Sequence, residues 1–443
     1  MSQRISFKYI NKLAVPAIIA GIAEPLLSIT DTAIVGNIDV NPIESLAAVG
    51  IAGSFIAALV WIFAQTRSAI SAIVAQYLGA KKLNEIKDLP AQIIVINLII
   101  SFGIYAITLF FVQFIFKLYN ADGFILNYAV EYYKIRALGF PLTLFVFSVF
   151  GVFRGMQNTY WPMIISITGA LLNVVLDFAL VYGIDGFIEP MNIKGAAIAS
   201  VLAQLVMAIM ALVLMLKKTP FNFRFKLPFN KELRRLVNLS LNLFVRTLAL
   251  NVALYLSNAY ATKYGNNYIA AQTIAFQLWL FFAFFIDGYS SVGNIISGKL
   301  LGERNYKSLK LLSKDLMKYA LMVSGILALI CAVFYKFIAP IFTKDLLVIQ
   351  TFEAVFWMVL LMQPLNAIAF VFDGLFKGLA EAKALRNTLL IATFLGFLPA
   401  LLIADYFNLK LYGIWIAFYI WMLFRAGILM VKFKKKYLKL ANN

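Results

Sequence analysis

The chain has 443 residues, of which 63% are hydrophobic and only 13% are charged, and Phe alone occupies 40 positions. This composition excludes a soluble globular protein, because apolar runs long enough to cross about 30 Å of hydrocarbon recur along the whole length. A formal net charge of +19 would indicate nucleic-acid binding in a soluble protein, but here the basic residues follow a membrane-topology pattern. We therefore expect membrane lipid, and no nucleic acid, as a partner.

The apolar runs predict a polytopic all-α membrane protein. Most Lys and Arg residues lie at the two termini and in the loops after even-numbered spans, so both termini are predicted to be cytoplasmic. The basic N-terminus lacks a cleavage site, and the first helix is expected to be retained in a multi-pass protein of the cell (plasma or inner) membrane. The twelve predicted transmembrane helices lie at roughly residues 13–35, 46–66, 92–116, 130–152, 160–183, 194–216, 236–261, 268–297, 315–339, 348–374, 387–406 and 411–431.

The first span contains two carboxylates, Glu24 and Asp31. A carboxylate in hydrocarbon costs a few kcal/mol or more unless it is neutralised, hydrated or paired, so such residues are kept mostly where ions or protons are handled. Asp31 is therefore a candidate coupling residue, and Glu24 is either a second one or a solvated group that lines a cavity. Pro16 and Pro25 remove backbone hydrogen bonds in the same helix and are candidate hinges.

The fifth span contains Asn173 and Asp177, four residues apart and so on one face of the helix. An amide oxygen and a carboxylate in this arrangement can coordinate Na⁺ or share a proton. The alternative interpretation is a buried hydrogen-bond network that only holds helices together.

The second half of the chain has charges of both signs inside its predicted spans. Mutual ion pairing is the favoured interpretation of this set, because buried charges normally neutralise one another. Alternatively, Asp287 or Asp373 lies on a second proton or cation path. The charged residues are Arg246, Asp287, Asp373, Lys377 and Arg425.

The sequence has none of the common catalytic or cofactor-binding motifs. The chain has one cysteine, no histidine, no P-loop, no dinucleotide-binding fingerprint and no metal-ligand cluster. We therefore expect neither an enzyme nor a resident cofactor, and an energy source other than ATP.

The chain is an internal duplication with an offset of 223 residues. Pro141 to Gly155 aligns without a gap with Pro364 to Gly378, and Leu78-Gly79 matches Leu301-Gly302 at the same offset. Each half has six predicted spans, an even number, so the halves have the same orientation, as in transporters with parallel repeats. We expect a six-helix lobe with the cation site at residues 1–216, a basic cytoplasmic linker at 217–235 and a second lobe at 236–443.

The acids do not follow the repeat. The offset carries Asp31 onto Leu254 and Asp177 onto Ala400. The coupling site is therefore predicted to lie in the first lobe alone.

Several short segments together resemble the multidrug and toxic compound extrusion (MATE) family and, within it, the DinF-like branch. Their order and spacing carry the resemblance, which covers nearly the whole chain. The segments are Pro25-Leu26-Leu27, Asp31-Thr32-Ala33-Ile34-Val35-Gly36, Gln76-Tyr77-Leu78-Gly79-Ala80, Tyr132 with Arg136 and Pro141, Arg154-Gly155-Met156-Gln157-Asn158-Thr159, Asn173-Val174-Val175-Leu176-Asp177, Arg246-Thr247-Leu248-Ala249, Asp287-Gly288 and Asp373-Gly374.

The resemblance implies a cation-coupled antiporter with two six-helix lobes arranged in a V. It adds Tyr132 and Ser200 to the predicted coupling site and points to Pro16 as the bend. If Na⁺ is the coupling ion, the resemblance and the spacing make Asp31, Asn173 and Asp177 its ligands. The sequence does not distinguish H⁺ from Na⁺.

The function predicted from these observations is multidrug efflux: export of amphipathic, cationic organic small molecules in exchange for H⁺ or Na⁺ by a monomer. One alternative is a flippase for a lipid-linked saccharide or lipid of the same wider superfamily, which would favour a cationic cavity. An ion channel is less favoured because we find no filter sequence.

Overall fold

The computed structural model of the protein describes residues 4–38, 41–119, 121–184 and 186–442. For residues 24–29 and 442 only the backbone is described, so the side chains of Glu24 and Pro25 lie outside the described residues. Within the described part of the chain, the only β interaction is an isolated bridge between Ile184 and Ile188.

The described chain is otherwise helical or irregular, which confirms the predicted all-α class. A short 3₁₀ turn (Leu83–Ile86) lies between two α-helices. Two π turns (Ala392–Phe397 and Lys434–Leu438) each join consecutive α-helices without a break. The α-helices are α1 (Phe7–Val35), α2 (Pro42–Phe63), α3 (Gln65–Gly79), α4 (Leu89–Leu118), α5 (Gly123–Arg136), α6 (Gly139–Gly155), α7 (Tyr160–Val181), α8 (Asn192–Lys218), α9 (Leu233–Tyr264), α10 (Asn266–Gly302), α11 (Tyr306–Val333), α12 (Tyr335–Phe342), α13 (Leu346–Leu361), α14 (Gln363–Gly378), α15 (Ala382–Ile391), α16 (Leu398–Tyr406), α17 (Lys410–Phe433) and α18 (Lys439–Asn442).

Among the described residues, nine helical segments are long and apolar enough to cross a membrane. The bent pairs α5–α6 and α13–α14 raise the number to eleven if each pair counts as one span. These eleven coincide with the second to twelfth predicted spans, and α1 lies at the position of the first.

The two bends occupy equivalent places in the repeat. The bend angle is 45° between α5 and α6 and 49° between α13 and α14. Pro141 lies in the first turn of α6, and Pro364 lies in the first turn of α14. Because proline lacks an N–H group and fixes φ, it is tolerated in a first turn and disfavours an unbroken helix through that point.

The described chain forms two compact units, and the sequence enters each of them more than once. The N-terminal unit comprises Ile19–Val74 and Lys82–Leu236. The C-terminal unit comprises Met1–Ile18, Ala75–Lys81 and Val237–Asn443. Helices α1 and α3 therefore each contribute residues to both units.

Helix α8 is the packing centre of the N-terminal unit. It packs along α7 and also contacts α5 and α6, while α5 packs on α2 and α6 packs on α4. Helices α5, α7 and α8 thus lie together in this unit, which brings their inward faces within reach of one another.

The segment between α8 and α9 belongs to the N-terminal unit and is held there by contacts with α4 and α6. The Gln92 side-chain amide donates a hydrogen bond to the carbonyl oxygen of Lys226 (2.8 Å) and accepts one from the backbone N–H of Asn230 (2.9 Å). The ring centroids of Phe145 and Phe223 are 5.9 Å apart. These contacts fix an otherwise irregular, basic segment.

Two glycines of α6 allow close packing on α3. A Cβ atom at Gly151 would lie 2.7 Å from the carbonyl oxygen of Arg67, and one at Gly155 would lie 2.5 Å from Cβ of Val74. Small residues four apart let membrane helices approach closely. A larger side chain at either glycine would force the two helices apart.

The same packing recurs in the second repeat. A Cβ atom at Gly374 of α14 would overlap the carbonyl oxygen of Ser290, and one at Gly378 would overlap that of Asn294, both on α10. Gly374 and Gly378 are Gly151 and Gly155 shifted by the repeat offset. The sequence duplication is therefore also a duplication of helix packing.

The ends of α3 and α10 make a reciprocal contact inside the C-terminal unit. A Cβ atom at Gly79 would overlap the carbonyl oxygen of Lys299, and one at Gly302 would overlap that of Gln76. Each of these pairs is related to the other by the repeat offset, as in an isologous interface. Backbone-to-backbone contact of this kind leaves no room for any side chain.

We predict that Gly79→Ala and Gly302→Ala each destabilise the protein by about 1–3 kcal/mol, because the added methyl group must displace a backbone carbonyl. The midpoint of thermal unfolding in detergent measures the effect. Gly53→Ala in α2 is the matched control, since nothing lies within 4 Å of its added Cβ. A Gly302→Ala variant as stable as Gly53→Ala would contradict the close contact.

Candidate cation site

Polar side chains from three helices meet inside the N-terminal unit. Asp31 of α1 is only 4% exposed, and its Oδ2 accepts a hydrogen bond from Oγ of Ser200 on α8 at 2.9 Å. Nδ2 of Asn173 on α7 donates to the same hydroxyl at 3.4 Å. Ser200 is therefore the link between the two residues that the sequence singled out.

Asp177 lies one turn beyond Asn173 on α7 and is fully buried, close enough to the carboxyl group of Asp31 for the two groups to interact electrostatically. Within the described part of the chain, no donor reaches either carboxylate oxygen of Asp177, Oδ1 of Asp31 or Oδ1 of Asn173. Two carboxylates can hydrogen-bond to each other only when one carries a proton. The site thus has a surplus of buried acceptor oxygens.

This surplus determines what the arrangement can do chemically. Two neighbouring carboxylates in a low-dielectric environment cannot both remain ionised unless a proton or another cation lies between them. Carboxylate, amide and hydroxyl oxygens are also suitable ligands for a hard metal cation. The described residues contain no group of three or more acidic or Cys side chains placed to hold a metal. Any bound metal would therefore rely on the amide and hydroxyl oxygens as well.

Tyr132 of α5 is buried and interacts with both carboxyl groups. Arg136 lies one turn further along α5, and its positive charge interacts electrostatically with Tyr132 and Asp177. Its Nη1 donates a hydrogen bond to Oε1 of Gln204 at 3.1 Å. Sequence reasoning does not assign Arg136 or Gln204 to the site. The available signal is their spacing: each lies four residues after a predicted site residue and so on the same helix face.

The predicted hinge residues lie on α1. Pro16 is inside the helix, two residues before α1 passes from the C-terminal unit to the N-terminal unit. The side chains of Glu24 and Pro25 are outside the described residues.

The charges in the C-terminal unit form a separate buried cluster. Asp373 pairs with Arg246 and with Nη2 of Arg425, the latter at 2.8 Å, and all three side chains are buried. The Arg425 guanidinium also lies 4.7 Å from the ring centroid of Trp421. Asp287 is exposed on α10, and in the described residues it makes no ion pair with this cluster. Asp373 therefore forms a buried ion-pair cluster with the two guanidinium groups, and Arg425 adds a cation–π contact.

We predict that Ser200→Ala destabilises the protein by about 1–3 kcal/mol, because a buried Asp31 oxygen loses its donor. Thermal unfolding in detergent is the measurement. Ser54→Ala serves as the control, because Ser54 is exposed and its hydroxyl donates within its own helix, to the carbonyl oxygen of Ile51. Equal stability of the two variants would argue against the Asp31–Ser200 hydrogen bond.

We predict that Asp373→Asn destabilises the protein by about 3–5 kcal/mol, because two buried guanidinium groups lose their counter-charge. Asp287→Asn should change the stability by less than about 0.5 kcal/mol, since Asp287 is exposed. Thermal unfolding again provides the comparison. A stable Asp373→Asn variant that loses transport would instead indicate a second cation path in the C-terminal unit.

Solved structures of MATE proteins share this fold. A structure described as MATE in complex with MaD3S superposes with a TM-score of 0.89 and 20% identity, covering 98% of this chain and 97% of that chain. A structure described as the outward-facing conformation of a multidrug resistance MATE family transporter has a TM-score of 0.88 at 21% identity, with the same coverage. The chain therefore has the MATE fold.

The chain is also similar in sequence to named proteins from bacteria and a plant. DNA damage-inducible protein F of Escherichia coli is 26% identical over 95% of this chain and 90% of its own length. The probable multidrug resistance protein NorM of Bacillus thuringiensis is 26% identical over 92% of this chain and 90% of its own length. Protein DETOXIFICATION 42 of Arabidopsis thaliana is 28% identical, but the match covers only 67% of this chain and 56% of the plant protein.

The MatE family model matches the chain twice, at residues 16–179 and 243–402. Together these segments account for more than half of the chain, and each falls within one copy of the internal repeat. The chain therefore belongs to the MATE family of membrane transporters.

Proposed function

We propose that the protein is a secondary active antiporter that exports amphipathic, cationic organic compounds in exchange for H⁺ or Na⁺. The observation that carries this proposal is the buried pair Asp31–Asp177, whose acceptor oxygens exceed the donors available to them. Such a pair is costly inside a membrane unless it binds and releases a cation as part of its function.

The surrounding side chains supply the chemistry of exchange. Ser200 holds Oδ2 of Asp31, while Asn173 holds the Ser200 hydroxyl, so the second oxygen of Asp31 is left for a proton or Na⁺. Tyr132 closes the site from α5. Binding of a cation changes the charge of the site and with it the helix arrangement that is favoured.

Helix α1 is the element through which we propose that the site acts. It carries Asp31 in its last two turns and Pro16 in its first half, where a missing backbone hydrogen bond permits bending. A cation that binds Asp31 would bias this helix between two conformations, which is what coupling requires. In this proposal residues 1–216 form the lobe with the cation site, 217–235 the linker, and 236–443 the second lobe.

The name of one relative supports export, and the buried acids support a cationic substrate. A relative named multidrug export protein MepA, from Staphylococcus saprophyticus, is 23% identical over 70% of this chain. The acid pair favours a cationic substrate over the pyrophosphate group of a lipid-linked saccharide, which disfavours a flippase. We propose a monomer with both termini in the cytoplasm, following the basic-residue distribution.

We predict that Asp31→Asn and Asp177→Asn each reduce gradient-driven efflux to the level of protein-free vesicles, because an amide neither binds a proton nor neutralises Na⁺. The assay is uphill movement of tetraphenylphosphonium in proteoliposomes under an imposed H⁺ or Na⁺ gradient. Asp122→Asn is the control, since Asp122 is exposed at the start of α5.

Size-exclusion profiles of the three variants establish that they are folded. If both site variants were folded and retained full gradient-driven efflux, the proposed function would be wrong.

A further inference from the structure

A positive charge is held one turn of α8 away from the residue that binds Asp31. Arg136 ends α5, is half-buried, and donates from Nη1 to Oε1 of Gln204 at 3.1 Å. Gln204 lies one turn of α8 beyond Ser200, and Ser200 donates to Asp31. The guanidinium is thus anchored to the same helix that holds Asp31.

The absence of a side chain at Gly139 leaves space for the hydrogen bond between Arg136 and Gln204. Gly139, the first residue of α6, packs directly on the pair: an added Cβ would overlap Oε1 of Gln204 and lie 3.2 Å from Nη1 of Arg136. A side chain at this position would therefore displace either the guanidinium or its partner. The position of the charge is fixed by α5, α6 and α8 together.

The charges around the site can be counted from the side chains that face it. Asp31 comes from α1, Asp177 from α7, and Tyr132 and Arg136 from α5. Among the described residues, helix α8 contributes the uncharged Ser200 and Gln204, and Glu131 of α5 pairs with Lys194 at 2.8 Å. With both acids ionised, the described side chains of the site carry one net negative charge, because the guanidinium of Arg136 is positively charged. The side chain of Glu24 lies outside the described residues.

We propose that Arg136, held by Gln204, is the resident counter-ion of the Asp31–Asp177 pair and restricts the site to one monovalent cation at a time. A monovalent cation neutralises the site, whereas a divalent cation leaves an uncompensated buried positive charge. This inference rests on the proposed function in so far as the acid pair binds the transported cation.

A purely structural role for Arg136 makes a different prediction. If the guanidinium only holds α5 against α8, its removal lowers stability and leaves the cation preference of the site unchanged. A counter-ion instead changes which cations bind. The discriminating readout is therefore the affinity for a divalent cation and not stability alone.

The experiment uses the purified full-length protein in detergent, with Ca²⁺ as a divalent, oxygen-seeking probe. Thermal unfolding is followed across a CaCl₂ titration at constant ionic strength. Arg136→Gln removes the charge but keeps an amide that can bond to Gln204, and Arg136→Lys keeps the charge. We expect Ca²⁺ to bind Arg136→Gln at least about tenfold more tightly than wild type or Arg136→Lys.

A second substitution tests whether the increased Ca²⁺ affinity arises at the acid pair. Adding Asp177→Asn to Arg136→Gln should return the Ca²⁺ affinity to the wild-type value, because the net charge of the described site returns to one negative charge. If Arg136→Gln does not fold, Gln204→Ala provides the test, since an unanchored guanidinium should give a gain between wild type and the charge-free site. Equal Ca²⁺ affinity in wild type and in the folded variant overturns the proposal.

The two proposals fail separately. Calcium binding by Arg136→Gln without any dependence of efflux on Asp31 and Asp177 would retain the counter-ion and reject the antiporter. Efflux that requires both acids, with no gain in calcium affinity, would retain the antiporter and reject the counter-ion.

Discussion

The arrangement of the N-terminal unit depends on two carboxyl groups, those of Asp31 and Asp177, that are buried next to each other. Neither has enough donors around it, so the pair is stable only with a cation or a proton. This need explains why α1, α7 and α8 converge on the Ser200 hydroxyl. It also explains why a guanidinium, that of Arg136, is tolerated at the same place.

The internal repeat duplicates the helix packing but not the buried acids. The glycines that let helices pack closely recur at the repeat offset, as Gly151 and Gly374 illustrate. The acids do not recur, because Leu254 and Ala400 occupy the equivalent positions of the second repeat. In the C-terminal unit the buried charges neutralise one another around Asp373 instead. The repeat thus duplicates the backbone packing, whereas the proposed cation site lies in the first half.

The spans, the repeat and the acids could be predicted from sequence because each leaves a local signal: an apolar run, an offset, or a costly charge. Pro141 and Pro364 mark the two bends in the sequence, although the apolar runs around them predict continuous spans. Arg136 and Gln204 were not assigned to the site, because Arg136 lies near the start of the predicted span 130–152, where a guanidinium is equally typical of the membrane interface. Their role depends on contacts between helices distant in sequence, as does the packing of the end of α3 within the C-terminal unit.

The most direct test of cation exchange uses the wild-type protein in proteoliposomes with no imposed cation gradient. A concentration gradient of tetraphenylphosphonium is applied, and the movement of H⁺ and of Na⁺ is followed with ion-sensitive dyes. Exchange at the Asp31–Asp177 pair predicts that the organic cation moves down its gradient while one of the two ions moves uphill in the opposite direction. Movement of the organic cation with neither ion moving against it would contradict the account.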